Sequence, residues 1–196
     1  MTTPILVGVG QSTERVEDAQ YQALSVVELA ARAARRAVDD ALTTDQLARH
    51  IDVVAGVRQF ETSTPDAVAV FGRPSNFPRS VMQRLGHQPA RAILEVGGGQ
   101  SPQKLVNEFA AAIAGGEARM VLLVGAEAIS TQRHLLNRGT RPDWSESVDG
   151  SLEDRGYGLD SIMTPDLVRH RLTSAIPGYA LFDNARRARL GQTRQA

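Results

Sequence analysis

The chain has 196 residues, 42% of them hydrophobic, with 22 Lys and Arg against 22 Asp and Glu and no cysteine. That length can bury one ordinary core, or form one domain with an appendage. Zero net charge lacks the basic excess by which nucleic-acid binders neutralise phosphate, and the absence of cysteine excludes disulfides, thiolate zinc sites and thiol nucleophiles. No apolar run is long enough to span a bilayer. Met1-Thr-Thr-Pro4 also lacks a charged-then-apolar signal region, so the cytoplasm is the expected location.

From residue 1 to about 130, strand-like and helix-like segments alternate, which predicts a parallel α/β sheet. Ile5-Leu-Val-Gly-Val-Gly10 is a short apolar run suited to a first strand covered on both faces. A long helix follows, opened by a Ser25/Glu28 capping-box pair and carrying Val26, Val27, Ala30, Ala34, Ala37, Val38 and Ala41 at helical spacing. Ile51 to Val57 reads as the second strand. A short helix is expected between Asn76 and Gly86, with Val81, Met82 and Leu85 on one side. Ala92 to Val96 is the third strand and Met120 to Val124 the fourth.

Between the last two strands, Ser101 suits an N-cap and Pro102 the first helical position. From Leu105 to Ala114 the apolar residues run nearly all round, which predicts a helix buried on most sides. Past Ser130 the texture changes. Arg138 to Asp160 is polar and glycine-rich, an extended loop, followed by helix candidates around Pro165 to Leu172 and Tyr179 to Leu190. The texture divides the chain into an α/β domain over 1–130 and a second, loop-rich region over 131–196.

The candidate binding segment is Gly97, Gly98, Gly99, Gln100 and Ser101, ahead of a helix N-terminus. Free N–H groups and the positive end of the helix dipole can hold a carbonyl oxygen, carboxylate or phosphate there. Equally, the glycines can serve a tight turn that needs positive φ. Ser101 lacks the second glycine of a Gly-x-Ser-x-Gly elbow, which favours a cap over a nucleophile. Gly8-Val-Gly10-Gln-Ser-Thr13 is a fragment of a dinucleotide fingerprint with threonine in its third position. His50, His87, His134 and His170 are scattered, with no metal-ligand spacing. Arg169, Arg171, Arg186, Arg187, Arg189 and Arg194 could offer charge to a phosphate, or form a solvated face. No resident cofactor or metal is expected.

Taken together, Glu95-Val-Gly-Gly-Gly-Gln-Ser-Pro-Gln103, the apolar helix, Gly115-Gly-Glu117 and Val121-Leu-Leu-Val-Gly-Ala-Glu-Ala-Ile-Ser130 resemble the segment around the nucleophile of the thiolase superfamily. The likeness is greatest to actinobacterial acetyl-CoA acetyltransferase-like members. Aligned on Gly116-Glu117, Glu127 and Ser130, the family's cysteine falls on Gly99. The family's Gly-His-Pro, Cys-x-Gly and Asn-Glu-x-Phe segments have no counterpart in a suitable context; Asn107-Glu-Phe109 lies inside the apolar helix.

The resemblance thus implies a thiolase-like N-terminal half with a buried central helix and part of a loop domain. It implies an acyl-CoA acyltransferase homologue that binds acyl-CoA or CoA but lacks the catalytic cysteine and the C-terminal half. Two alternatives stand beside it. One is a thiolase-like aldolase subunit of steroid side-chain degradation, with Tyr21, Tyr157 and Tyr179 as the available acid/base groups. The other is a non-enzymatic scaffold or dimerisation subunit. The resemblance further implies a homodimer through an uncovered strand edge at Ala92 to Val96, and a second polypeptide supplying the missing half and covering the apolar helix.

Overall fold

In a computed structural model, which describes residues 2–41, 47–65, 67–158, 165–172 and 175–193, four parallel strands make one sheet. They are β1 (Val53–Val57), β2 (Arg91–Glu95), β3 (Val121–Val124) and the two-residue β4 (Glu153–Asp154), in the order β3-β1-β2-β4. Alternate side chains separate two apolar layers. Val54, Ala92, Leu94 and Val124 pack on one face with helices α1 (Val26–Asp40) and α2 (Phe77–Arg84). Val53, Ala55 and Ile93 pack on the other with Leu105 and Phe109 of α3 (Ser101–Gly115). Gly56 in β1 is small because Phe77 lies against it; a Cβ there would sit 3.0 Å from the ring.

Local signals set the helix ends. Ser25 Oγ accepts the Glu28 N–H at 3.2 Å and starts α1. The Glu28 carboxylate does not close the capping box; it pairs with Arg84 of α2 and ties the two helices together. Asn76 caps α2 through the Arg79 N–H, and α3 ends at Gly116, whose φ of +79° suits only glycine without strain. Helix α4 (Ile129–Asn137) follows β3. No helix among the described residues is long and apolar enough to cross a membrane.

Four expectations are corrected. Residues 5–10 pair with no strand among the described residues, and α1 instead takes backbone groups of Val9 and Gln11. The Val9 N–H donates to Asp40 Oδ2 at 2.9 Å, and Arg36 donates to the Gln11 carbonyl at 2.5 Å. Gly8 and Gly10 lie so close to α1 that a Cβ on either would fall 2.1 Å from the carbonyl oxygen of Ala37 or Ala33. Second, Ser101 is the first residue of α3 rather than its cap, and Gln100 takes the cap position without a side-chain bond.

Third, α3 is not buried on most sides. The sheet covers Leu105 and Phe109, while Val106 is 48% exposed and Ala112, Ile113 and Ala114 are half-buried. Among the described residues nothing covers that outer side. Fourth, the edge of β2 expected to be open at Ala92 to Val96 carries β4, which pairs with Ile93 and Leu94. A homodimer through that edge requires β4 to move away.

The chain divides into two compact units, residues 1–157 and 158–196. Residues 131–157 return to the sheet through β4 and belong to the first unit. In the second unit, the described residues form α5 (Pro165–Arg169) and α6 (Ala175–Arg189), and α6 buries none of its residues. The burial pattern of α3 makes a sharp forecast. Leu105→Ala should cost about 2–5 kcal/mol in urea denaturation, whereas Val106→Ala should stay within about 0.5 kcal/mol. Equal costs would mean that a second layer already covers the helix.

Candidate functional site

Parallel strands deliver their C-terminal ends to one edge of the sheet, where open α/β folds place their ligand crevices. Here β1 runs into residues 58–63, β2 into the glycine turn 96–100, and β3 into residues 125–128. The three glycines have separate reasons. Gly97 is boxed in, since a Cβ would lie 3.2 Å from the Arg58 carbonyl oxygen and 3.3 Å from Ser63 Cβ. A Cβ on Gly98 would meet only the far end of the Gln100 side chain, and one on Gly99 nothing within 4 Å. None of the three has positive φ, so the turn does not rest on left-handed backbone.

Gly98, Gly99 and Gln100 are exposed at the N-terminus of a 15-residue helix. The Ser101 N–H closes the turn on the Gly98 carbonyl at 3.1 Å. Ser101 itself is fully buried and its hydroxyl has no hydrogen-bond partner. Of the five candidate residues, Gly98, Gly99 and Gln100 thus form an open surface, Gly97 shapes the turn, and Ser101 faces inward.

Beneath the turn lies a charge cluster that the sequence analysis missed. Glu95, the last residue of β2, is 0% exposed. It accepts from Lys104 Nζ at 2.9 and 3.0 Å, from Arg155 Nη1 at 2.8 Å and from the Val96 N–H at 3.2 Å. Burial alone would raise its pKa; the bonds from Lys104, Arg155 and Val96 outweigh that and hold it below the ordinary glutamate value. Arg155 also forks onto Glu108 of α3, at 2.6 and 2.7 Å, and reaches Glu153 of β4. The Glu108 bonds lead in raising its pKa. Lys104 and Glu108, on one face of α3 at spacing i, i+4, were the legible part; Arg155, distant in sequence, was not.

A second carboxylate pair joins the ends of β1 and β3. Glu127 accepts the Phe60 N–H at 2.7 Å, and Gln132 of α4 donates to Glu61. Burial raises the pKa of both, and the nearby Glu61 charge raises that of Glu127 further. Glu127 therefore ties down the loop that walls Gly97. Ser130, its partner in the sequence motif, is exposed on α4.

The remaining candidates do not converge. Tyr21 stacks edge-on with His134 at 5.4 Å, and its hydroxyl is buried without a partner. Tyr157 lies under the Arg58 guanidinium at 4.6 Å, while Arg58 pairs with Asp154. Tyr179 is exposed in the second unit. His50 and His170 are exposed and His87 is half-buried. Arg169 pairs with Asp166, Arg187 bonds Asn184, Arg186 and Arg189 are exposed on α6, and Arg194 lies outside the described residues. Gly8 and Gly10 serve packing on α1, not a phosphate. Among the described residues no three metal-binding side chains gather.

This chain is similar to a solved structure, a monomeric SCP2-thiolase-like protein type 1 from Mycobacterium smegmatis. The two are 47% identical, with a TM-score of 0.51, over 63% of this chain and 23% of that one. The chain therefore spans about a quarter of the length of the protein it resembles. No protein-family model and no curated protein sequence matches it. The fold is α/β and thiolase-like.

Glu95 gives a pH test. Its carboxylate is depressed in the folded state, so its stabilisation is present above the unfolded value, near 4.5, and is lost as pH falls below it. Glu95→Ala leaves Arg155 its bonds to Glu108 and Glu153 and leaves Lys104 to solvent, so it should cost about 1–3 kcal/mol at pH 7. The stability gap between wild type and Glu95→Gln should shrink as pH drops from 6 toward about 3. A gap that does not change with pH in guanidinium melts would show that the charge contributes nothing.

Proposed function

We propose that the chain is a thiolase-like acyl-CoA-binding unit, homologous to the acetyl-CoA acetyltransferases, that does not transfer acyl groups by itself. One observation carries this reading: position 99, where the resemblance puts the nucleophile, is an exposed glycine with open space around it at the N-terminus of α3. The positive end of the helix dipole and the backbone at residues 98–100 suit the carbonyl oxygen of a thioester. The likeness to an SCP2-thiolase-like protein supports the same ligand class.

Claisen-type condensation and thiolysis need a nucleophile to carry the acyl group and an acid/base partner to move its proton. Glycine at 99 supplies no nucleophile. No histidine is brought to the turn, and the carboxylates around it are engaged: Glu95 with Lys104 and Arg155, Glu61 with Gln132, and Glu127 with the Phe60 N–H. The chain therefore binds the thioester, and turnover depends on groups from a second polypeptide.

Titration calorimetry with acetyl-CoA and CoA tests the binding. Saturable heat is expected, with no thiolysis of acetoacetyl-CoA above background and no acyl adduct by mass spectrometry. Gly99→Cys should yield a thiol that reacts with iodoacetamide below the usual pKa of about 8.5, because a helix N-terminus favours the thiolate. Turnover should stay negligible in that variant. Robust thiolysis by the unmodified protein overturns the proposal, and the absence of any CoA binding turns it toward a bare scaffold.

A further inference from the structure

Arg58, the residue after β1, is buried yet only partly paired. Its Nε donates to the Gly156 carbonyl at 3.1 Å, its Nη2 pairs with Asp154, and its guanidinium lies 4.6 Å from the centre of the Tyr157 ring. The side chain is 4% exposed. Among the described residues nothing accepts from Nη1, and that atom is not sealed in by protein. A buried guanidinium with N–H groups to spare is costly unless an acceptor reaches them. The route for one is a cavity of about 290 Å³ that Arg58 lines.

Arg73 stands on the same cavity, exposed and with no hydrogen bond or ion pair among the described residues. The two acids of the lining are already engaged. Glu146 takes Arg84 on both oxygens, at 3.1 and 2.9 Å, while Asp154 takes Arg58 and, at 2.8 Å, the Gly156 N–H. Burial would raise the Asp154 pKa; the Arg58 and Gly156 bonds and the charges of Arg58 and Arg73 outweigh it and keep the group ionised. What the cavity has to offer is therefore cationic donors, beside an apolar wall of Phe77, Leu94 and Leu152.

That combination selects a class of ligand. Guanidinium groups recognise the oxygens of carboxylates and phosphates. A phosphate dianion would be opposed by the charges of Asp154 and Glu146 and would leave the apolar wall unused. A cation would meet acids that are already paired. We propose that this cavity binds a small organic monocarboxylate, whose carboxylate bridges Arg58 Nη1 and Arg73 and whose short apolar body lies on Phe77, Leu94 and Leu152. The cavity shares no residue with the glycine turn, and Leu94 reaches it from the face of the sheet opposite α3. The inference goes beyond the acyl-CoA reading and stands without it.

The probe is sodium butanoate, added to the full-length chain at constant ionic strength. The side-chain Nε–H signals of Arg58 and Arg73 should shift together and saturably in heteronuclear NMR. Butanamide, which lacks the charge, and inorganic phosphate should each bind at least about tenfold more weakly. Arg73→Gln should weaken butanoate about tenfold or more, and Arg73→Lys, which keeps the charge without the fork, by a smaller factor. Arg73 has no partner to lose, so both variants should melt as the wild type does. Arg49→Gln, which removes an exposed charge ahead of β1, should leave binding unchanged.

The proposal is overturned if the two signals do not saturate, if butanamide or phosphate binds as well as butanoate, or if Arg73→Gln binds like the wild type. Acetyl-CoA calorimetry on Arg73→Gln should match the wild type, so the two readings fail separately. A parallel loss of butanoate and acetyl-CoA would place both in one site and overturn the inference as well.

Discussion

The buried carboxylate of Glu95 is the point on which the architecture around the turn depends. It ends β2, and its partners come from three directions: the Val96 backbone, Lys104 one helical turn into α3, and Arg155 just after β4. An unpaired carboxylate at 0% exposure would cost more than a fold of this size can spare. Strand β2, α3 and β4 are therefore not independent choices. Satisfying Glu95 fixes the first turn of α3 over the strand end, which aims the helix N-terminus at Gly98 and Gly99. It also draws residues 153–155 onto the sheet, where two strand residues alone would not hold.

The turn is walled from the other side by the same means. Glu127, after β3, holds the Phe60 N–H, and the loop so fixed brings the Arg58 carbonyl and Ser63 against Gly97. Carboxylates are thus used here as struts between strand ends. Their pKa values diverge because their partners do. Glu95 has two cations and stays ionised, whereas Glu61 and Glu127 have neutral donors and each other, and are pushed toward protonation. Burial and mutual repulsion make ionising this pair unfavourable in the folded state, so some stability is lost as pH rises through their raised values, even though the Gln132 and Phe60 bonds favour the charged form.

Much of the fold was legible because it is local. Ser25, Asn76 and Gly116 mark helix ends by chemistry that acts within four residues, and β1, β2 and β3 are short apolar runs of the expected length. The errors have one physical source. Residues 5–10 have the composition of a strand, but pairing depends on what lies beside them, and α1 packs against Gly8 and Gly10 and takes the Val9 N–H. For α3, the apolar periphery records only that burial is favourable, not that a neighbour supplies it. At the candidate turn, Gly97, Gly98 and Gly99 stand out by pattern, while the residues that position them are hidden by separation: Arg155 is 60 residues from Glu95, and Glu127 is 67 from Phe60.

The two edges of the sheet are treated in opposite ways, and the difference sets the direction in which it can grow. On the β2 side, β4 is two acidic residues long, and Glu153 and Asp154 are held by Arg91, Arg155 and Arg58. A short charged strand of this kind is how natural sheets blunt an edge against further pairing. On the β3 side there is no charge, no proline in the strand and no bulge, and the adjoining face of α3 is apolar as well. Leaving such an edge bare would invite indiscriminate pairing. The outer face of α3 beside it is likewise left uncovered among the described residues, so the sheet is blunted by charge on one side and open and apolar on the other.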